Sequence, residues 1–182
     1  WELIPESMKH ADPALSRMSH LRNEWMNGMQ FFLNQDLLQE IGHTIYFDSP
    51  WAVTSISQKQ YWDSYDLSRF GNGQVKGILS VDISDWNQPG ILFNKKAKDC
   101  TRAEFKQEVW AQIKSHLNDG GRNVLTDDML IYTFIDPGLA FIGDFNEDGS
   151  ELSQTTNEDP LLINTVSSWN DRPEAVTRDR KS

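Results

Sequence analysis

Apolar and polar positions change period several times along the chain, and each change predicts an element. In "GMQFFLNQD" Met29, Phe31 and Leu33 alternate with Gln30, Phe32 and Asn34, the two-residue period of a strand. "GILSVDISD" repeats the pattern more cleanly, with Leu79, Val81 and Ile83 inward and Ser80, Asp82 and Ser84 outward. "HTIYF" reads as a strand with Ile45 and Phe47 on one face and Thr44 and Tyr46 on the other; Pro50, which has no N–H for a ladder, ends it. "AVTSISQ" is rich in β-branched residues and reads as the next strand, and "LLINTVSSW" (161–169) as a late one. "DDMLIYTFID" (127–136) fits a short helix or a buried strand equally well.

Helical spacing occurs twice. "DPALSRMSHLRNEW" (12–25) sets Leu15, Met18, Leu21 and Trp25 on one stripe, with Asp12 as N-cap and Pro13 in the first turn. Thr101 and Glu104 form a capping box, in which each side chain satisfies a free amide of the first turn. Behind it Phe105, Val109, Ile113 and Leu117 make an apolar stripe edged by Trp110, and Gly120-Gly121 supplies a left-handed stop. That stripe needs a sheet to pack on. The expected fold class is α+β, a mixed or antiparallel sheet with helices packed on one face, as a single domain over 1–182.

Charge and cysteine content narrow the partners. A net charge of −10 argues against nucleic acid or an anionic membrane surface, both of which need a basic footprint. Cys100 stands alone, so no internal disulfide forms and a reducing compartment fits. "WELIPESMKH" lacks the basic and apolar regions of a signal peptide, and no apolar run is long enough to span a bilayer. The expected location is the cytoplasm. Trp1 at the start and "RDRKS" at the end read as the limits of a piece excised from a longer, two-domain chain.

Several short motifs fall short of a reaction. "GNGQVKG" is one residue too long for a dinucleotide fingerprint and precedes a strand instead of a helix, so it reads as a hairpin loop. His10, His20, His43 and His116 show no metal spacing. Cys100, just ahead of a helix cap, could have a lowered thiol pKa, although no sequence partner marks it as a nucleophile. Asp144, Asn146, Asp148 and Gly149 match the first half of a calcium loop, but Thr155 stands where the bidentate Glu belongs. A solvated acidic loop over 144–160 is the simpler reading of that stretch.

"HTIYFDSPWAVTSISQKQYW" (43–62) is more informative. It is aromatic and mildly polar, with no charge between Asp48 and Lys59. That is the composition of a core strand pair, or of the wall of a pocket for a large apolar ligand. Trp51, Ser55, Gln58, Tyr61 and Trp62 are its candidate substrate-binding residues.

Together with "EWMNGMQFFLNQD", "VKGILSVDISDWNQPG", "TRAEFKQEVWAQIKSHL" and "NEDPLLINTVSSWNDRPEAVT", this segment resembles the middle and later part of bacterial FAD-dependent oxidoreductases. The group is that of amine oxidases, phytoene desaturases and hydroxysqualene dehydroxylases, and the resemblance runs over roughly residues 20 to 177. It implies an FAD-binding domain of Rossmann type beside a substrate domain, and the desaturation or dehydrogenation of an apolar substrate or an amine. It also implies that Arg172 and Pro173 lie near the FAD-contacting segment. The family's G-x-G-x-x-G and its downstream Gly-Asp are not in this sequence, so FAD is expected in the full-length protein and not on this chain alone. The expected partners are the FAD-binding domain, an apolar small molecule and, through the exposed domain interface, further copies of the chain. Catalytic residues stay unassigned. Two other readings stay open: a stand-alone ligand-binding module without the redox domain, and a cation-binding interaction domain using the acidic loop.

Overall fold

The computed structural model describes residues 3–37, 41–62 and 64–172. In chain order it contains α1 (Glu6–Ala11), β1 (Asn23–Glu24), β2 (Asn27–Leu33), β3 (Thr44–Ile45), β4 (Val53–Ser57) and β5 (Gly77–Ile83). These are followed by α2 (Arg102–Leu117), β6 (Leu130–Ile135), β7 (Leu139–Ala140), β8 (Thr156–Asn157) and β9 (Leu161–Leu162). Two compact units divide the chain, one spanning Trp25–Asp159 and the other formed from the segments before and after it. The class is α+β with antiparallel strand pairing.

In the Trp25–Asp159 unit a five-stranded sheet runs in the order β3-β4-β5-β2-β6. Its alternation is the one the sequence predicts. β2 and β5 bury every second residue, and Met29, Phe31, Leu33, Leu79, Val81 and Ile83 form one face of the core. The capping box at Thr101 and Glu104 is present, and Phe105, Val109 and Ile113 of α2 are fully buried with that face. Three aromatic rings cross the core as a stack, with Phe105 lying 5.5 Å from Trp51 and 5.1 Å from Trp86 between ring centroids. α2 ends at Leu117, and Gly120 and Gly121 follow with φ of 67° and 79°, values that favour glycine. The ambiguous 127–136 stretch resolves into one turn of 3₁₀ helix (Asp127–Met129) followed by β6. "GNGQVKG" lies in the long connection between the antiparallel neighbours β4 and β5.

One helix turn of α2 secures two loops. Glu108, almost wholly buried, accepts backbone N–H bonds from Ile91, Leu92 and Phe93 at 2.5, 2.9 and 3.0 Å. Four residues on, Gln112 donates to Glu108 at 2.9 Å, and its oxygen accepts from Ser49 Oγ at 2.7 Å and Trp51 N at 3.2 Å. The turn held this way includes Asp48 and Ala52 in the left-handed region, with φ of 64° and 46°.

The other unit corrects two expectations. In place of the helix predicted over 12–25 there is a 3₁₀ helix (Pro13–His20), which follows α1 and is capped by the Asp12 side chain accepting from Ala14 N as expected. Leu21 turns extended because the next residues pair with another strand: Asn23–Glu24 form an antiparallel ladder with Leu161–Leu162. Trp25 sits in the Trp25–Asp159 core, edge-on to Trp86 at 5.2 Å. The expected strand over 161–169 is only the two residues of β9, since Ser167 adopts a left-handed φ of 69° and a 3₁₀ turn follows.

Candidate functional site

The face of the five-stranded sheet opposite the core is built by the same alternation, one residue out of phase. Cross-strand partners fix its rungs. Tyr132, Phe32 and Ile78 form the first, Phe134, Gln30, Ser80 and Ile56 the second. Gly28, Asp82, Thr54 and Ile45 form the third, which Asp136 extends by donating its backbone N–H to Gly28 O. Residues of the core face are buried almost completely, whereas these are half-buried or open. Ile45 is 69%, Tyr132 60% and Phe134 44% exposed, which makes this an accessible apolar wall and not a second core. The Phe32 and Tyr132 rings lie 5.8 Å apart.

A neutral polar line crosses that wall. Gln30 Nε2 and Gln58 Nε2 both donate to Ser80 Oγ, at 3.3 and 3.0 Å. Beside it a depression of about 380 Å³ is lined by Gly28, Gln30, Ser80, Asp82, Phe134 and Asp136. The wall is thus aromatic and aliphatic at one end, amide and hydroxyl in the middle, and acidic at the other end.

The residues predicted from 43–62 do not assemble into one site. Trp51 is fully buried, stacks on Phe105 of the helix stripe and donates its indole N–H to Gln88 O at 3.0 Å. It is a core residue and not the pocket wall that its sequence context suggests, because it emerges on the α2 side of the sheet. Ser55 is also buried, on the core face, within 2.7 Å of Tyr46 Oη. "HTIYF" forms a strand only at Thr44–Ile45: Tyr46 turns inward to that contact, while Phe47 is exposed. Gln58 does reach the open face. Tyr61 and Trp62 lie together elsewhere, in the β4–β5 connection, where they line a cavity of about 450 Å³ with Ser64 and Tyr65. The sequence reading passed over Gln30, Phe32, Ile78, Tyr132 and Phe134. The signal was present for the first three, as the second phase of two clean alternations. For Tyr132 and Phe134 it was hidden by the helix–strand ambiguity of 127–136.

The remaining chemical candidates resolve one by one. Cys100 is fully buried, its Sγ 3.3 Å from Lys96 O, and burial pushes the thiol up to about 12, opposite to a nucleophile's shift. Its contribution to stability is therefore full below the ordinary thiol range and is lost as pH rises from there toward about 12. At about pH 8 the folded chain is expected to leave an aromatic disulfide reagent unreacted until denaturant is added; rapid native labelling would contradict this. Asp144 is held by Arg102, whose Nη2 donates at 2.7 Å, and by Phe141 N at 2.8 Å. The Arg102 bond, foremost, keeps its carboxyl below the usual range. Asp148 accepts from Ser150 N and Oγ, at 2.9 and 2.6 Å. Among the described residues no group of His, Cys, Asp or Glu is placed to hold a metal ion.

Arg172 is half-buried, with Nη2 donating to Asn164 Oδ1 and its guanidinium 5.6 Å from the Trp169 ring centroid. Its Nε has no partner among the described residues. Pro173 lies outside the described residues. Among those described, no helix is long and apolar enough to cross a membrane. No protein-family model, curated protein or solved structure matches this chain.

Proposed function

We propose that this chain is the substrate-binding part of an FAD-dependent oxidoreductase that dehydrogenates a large apolar substrate or an amine. The observation that carries the reading is the sheet with two unlike faces. One is closed by α2, and the other presents Phe32, Ile56, Ile78, Tyr132 and Phe134 around the Gln30–Ser80–Gln58 line. A flavin enzyme of this kind needs such a wall to exclude water and orient an oily substrate, with a few neutral polar groups to set its position. The wall takes Ile56 and Gln58 from 43–62 and its remaining residues from β2, β5 and β6.

The residues present do not fit the cofactor. A flavin dinucleotide's pyrophosphate needs free amides at a helix N-terminus, and the first turn of α2 is already closed by its own cap: Thr101 Oγ1 accepts from Glu104 N and the Glu104 carboxylate from Thr101 N. In this reading FAD is held by another part of the full-length protein, in the cytoplasm, and no step is assigned to residues of this chain.

The test uses the flavoprotein that contains this sequence. Phe32→Ala and Tyr132→Ala are expected to lower kcat/KM for reduction of the flavin by an apolar substrate about tenfold each, with flavin content unchanged. Trp110→Phe, on the far side of the sheet, is expected to leave it within about twofold. Unchanged kcat/KM in both open-face variants would remove the wall from the reaction.

A further inference from the structure

In the β4–β5 connection Tyr61, Trp62, Tyr65 and Phe70 all stand open to solvent, and the local backbone explains how they come together. Gln60 ties down the 3₁₀ turn Gln58–Tyr61, accepting from Gly42 N at 2.8 Å and donating to Ser57 O at 2.7 Å. Trp62 N then donates to Lys59 O and Tyr65 N to Trp62 O, two tight turns in succession. They bring Tyr61, Trp62 and Tyr65 around one cavity of about 450 Å³, with Ser64. Asp66 caps a further 3₁₀ turn (Leu67–Arg69) by accepting from Ser68 N, and Leu67 is buried. Phe70 returns from that turn to stack on Tyr65, at 5.3 Å between centroids and 12° between planes.

The rings stand as walls of a corner. Trp62 and Tyr65 are inclined at 63° with centroids 5.9 Å apart, and Phe70 backs Tyr65 and fixes its plane. Among the described lining residues there is no aliphatic side chain, only ring surface and the hydroxyls of Tyr61, Ser64 and Tyr65. A neutral apolar ligand would leave those hydroxyls without water or partner. An anion would meet the negative faces of the rings in a chain of net charge −10. A cation that carries methyl groups in place of N–H gains from the ring faces and asks for no acceptor that the cavity lacks. No described lining residue is basic, and the Lys59 ammonium lies 3.7 Å from Asp36. Asp66, next to Tyr65 in the chain, adds a lasting negative charge, since the bond from the Ser68 hydroxyl holds its carboxyl below the usual range. We propose that this cavity binds a quaternary ammonium ion of the trimethylammonium type, its methyl groups against the faces of Trp62 and Tyr65.

Choline and its uncharged tert-butyl isostere have the same shape and separate charge from hydrophobic contact. In titrations of this chain followed by proton NMR, choline is expected to saturate, its N-methyl signal moving upfield in the ring currents of the two walls. The isostere is expected to bind at least about fivefold more weakly. Trp62→Ala and Tyr65→Ala are each expected to weaken choline at least about fivefold, whereas Tyr65→Phe keeps the ring face and stays within about twofold. Both positions are exposed, so the alanine variants are expected to keep the parent's denaturation midpoint closely enough to be compared folded. The choline–isostere comparison on the parent chain stands whether or not they do. Choline that does not saturate, an isostere that binds equally well, or unchanged choline binding in both folded alanine variants overturns the proposal.

Discussion

Glu108→Ala is expected to destabilise the Trp25–Asp159 unit by about 3–5 kcal/mol, because each buried N–H left without an acceptor costs about 1–3 kcal/mol. The carboxylate is the sole acceptor shown for the amides of Ile91, Leu92 and Phe93, and it also anchors Gln112. Among the described residues no cation forms an ion pair with it. Three convergent amides take that role, as in a backbone nest around an anion. Space forbids an easy substitute from the loop side: a Cβ on Gly90 would lie 2.2 Å from Glu108 Cδ, so Gly90→Ala is expected to displace the same carboxylate. Glu108→Gln supplies one accepting oxygen and turns an N–H₂ toward donors, and should fall between the parent and Glu108→Ala. Denaturant midpoints rank the three. Parent-like stability in Glu108→Ala would mean that water replaces the carboxylate and that the loop does not depend on it.

Nothing in the sequence announces this anchor. Glu108 sits three residues after Phe105 in "TRAEFKQEVWAQIKSHL", where its spacing places it beside the apolar stripe while its residue type reads as solvent-facing. It is buried because the 88–93 loop crosses over it, and a contact between residues so far apart leaves no local trace. The elements that were legible are those set by local rules: the alternation of β2 and β5, the capping box of α2, and Asp12 with Pro13 at a helix start. The failures share one cause. Leu21 and Trp25 continue a helical stripe, and Val166 and Trp169 continue an apolar run, yet β1–β9 pairing and the left-handed Ser167 end both patterns. Pairing between residues at opposite ends of the chain overrides local spacing. The site was legible only as composition. An aromatic and neutral wall exists, but whether a given tryptophan faces a ligand or a helix depends on which side of a turn it emerges from, and Trp51 emerges inward.

Trp51 therefore carries the second large effect. Trp51→Ala is expected to cost about 3–5 kcal/mol, the range for removing a large aromatic from a packed core. The indole is fully buried, nearly parallel to Phe105 at 23°, and its N–H satisfies Gln88 O. Truncation leaves a void beside α2, an unpaired carbonyl and a broken stack, since among the described residues Phe105 then keeps Trp86 and Phe141 as ring neighbours. Trp51→Phe separates these terms: it retains most of the packing and loses only the hydrogen bond, for about 1–2 kcal/mol. Trp62→Ala supplies the contrast. At 38% exposure, in the β4–β5 connection, its removal is expected to cost about 1 kcal/mol or less. Chemical denaturation of the three variants decides between core and pocket for this segment. Should Trp51→Ala unfold at the parent's midpoint and instead bind an apolar ligand more weakly, the stack on Phe105 would be incidental and Trp51 would belong to the wall that receives substrate.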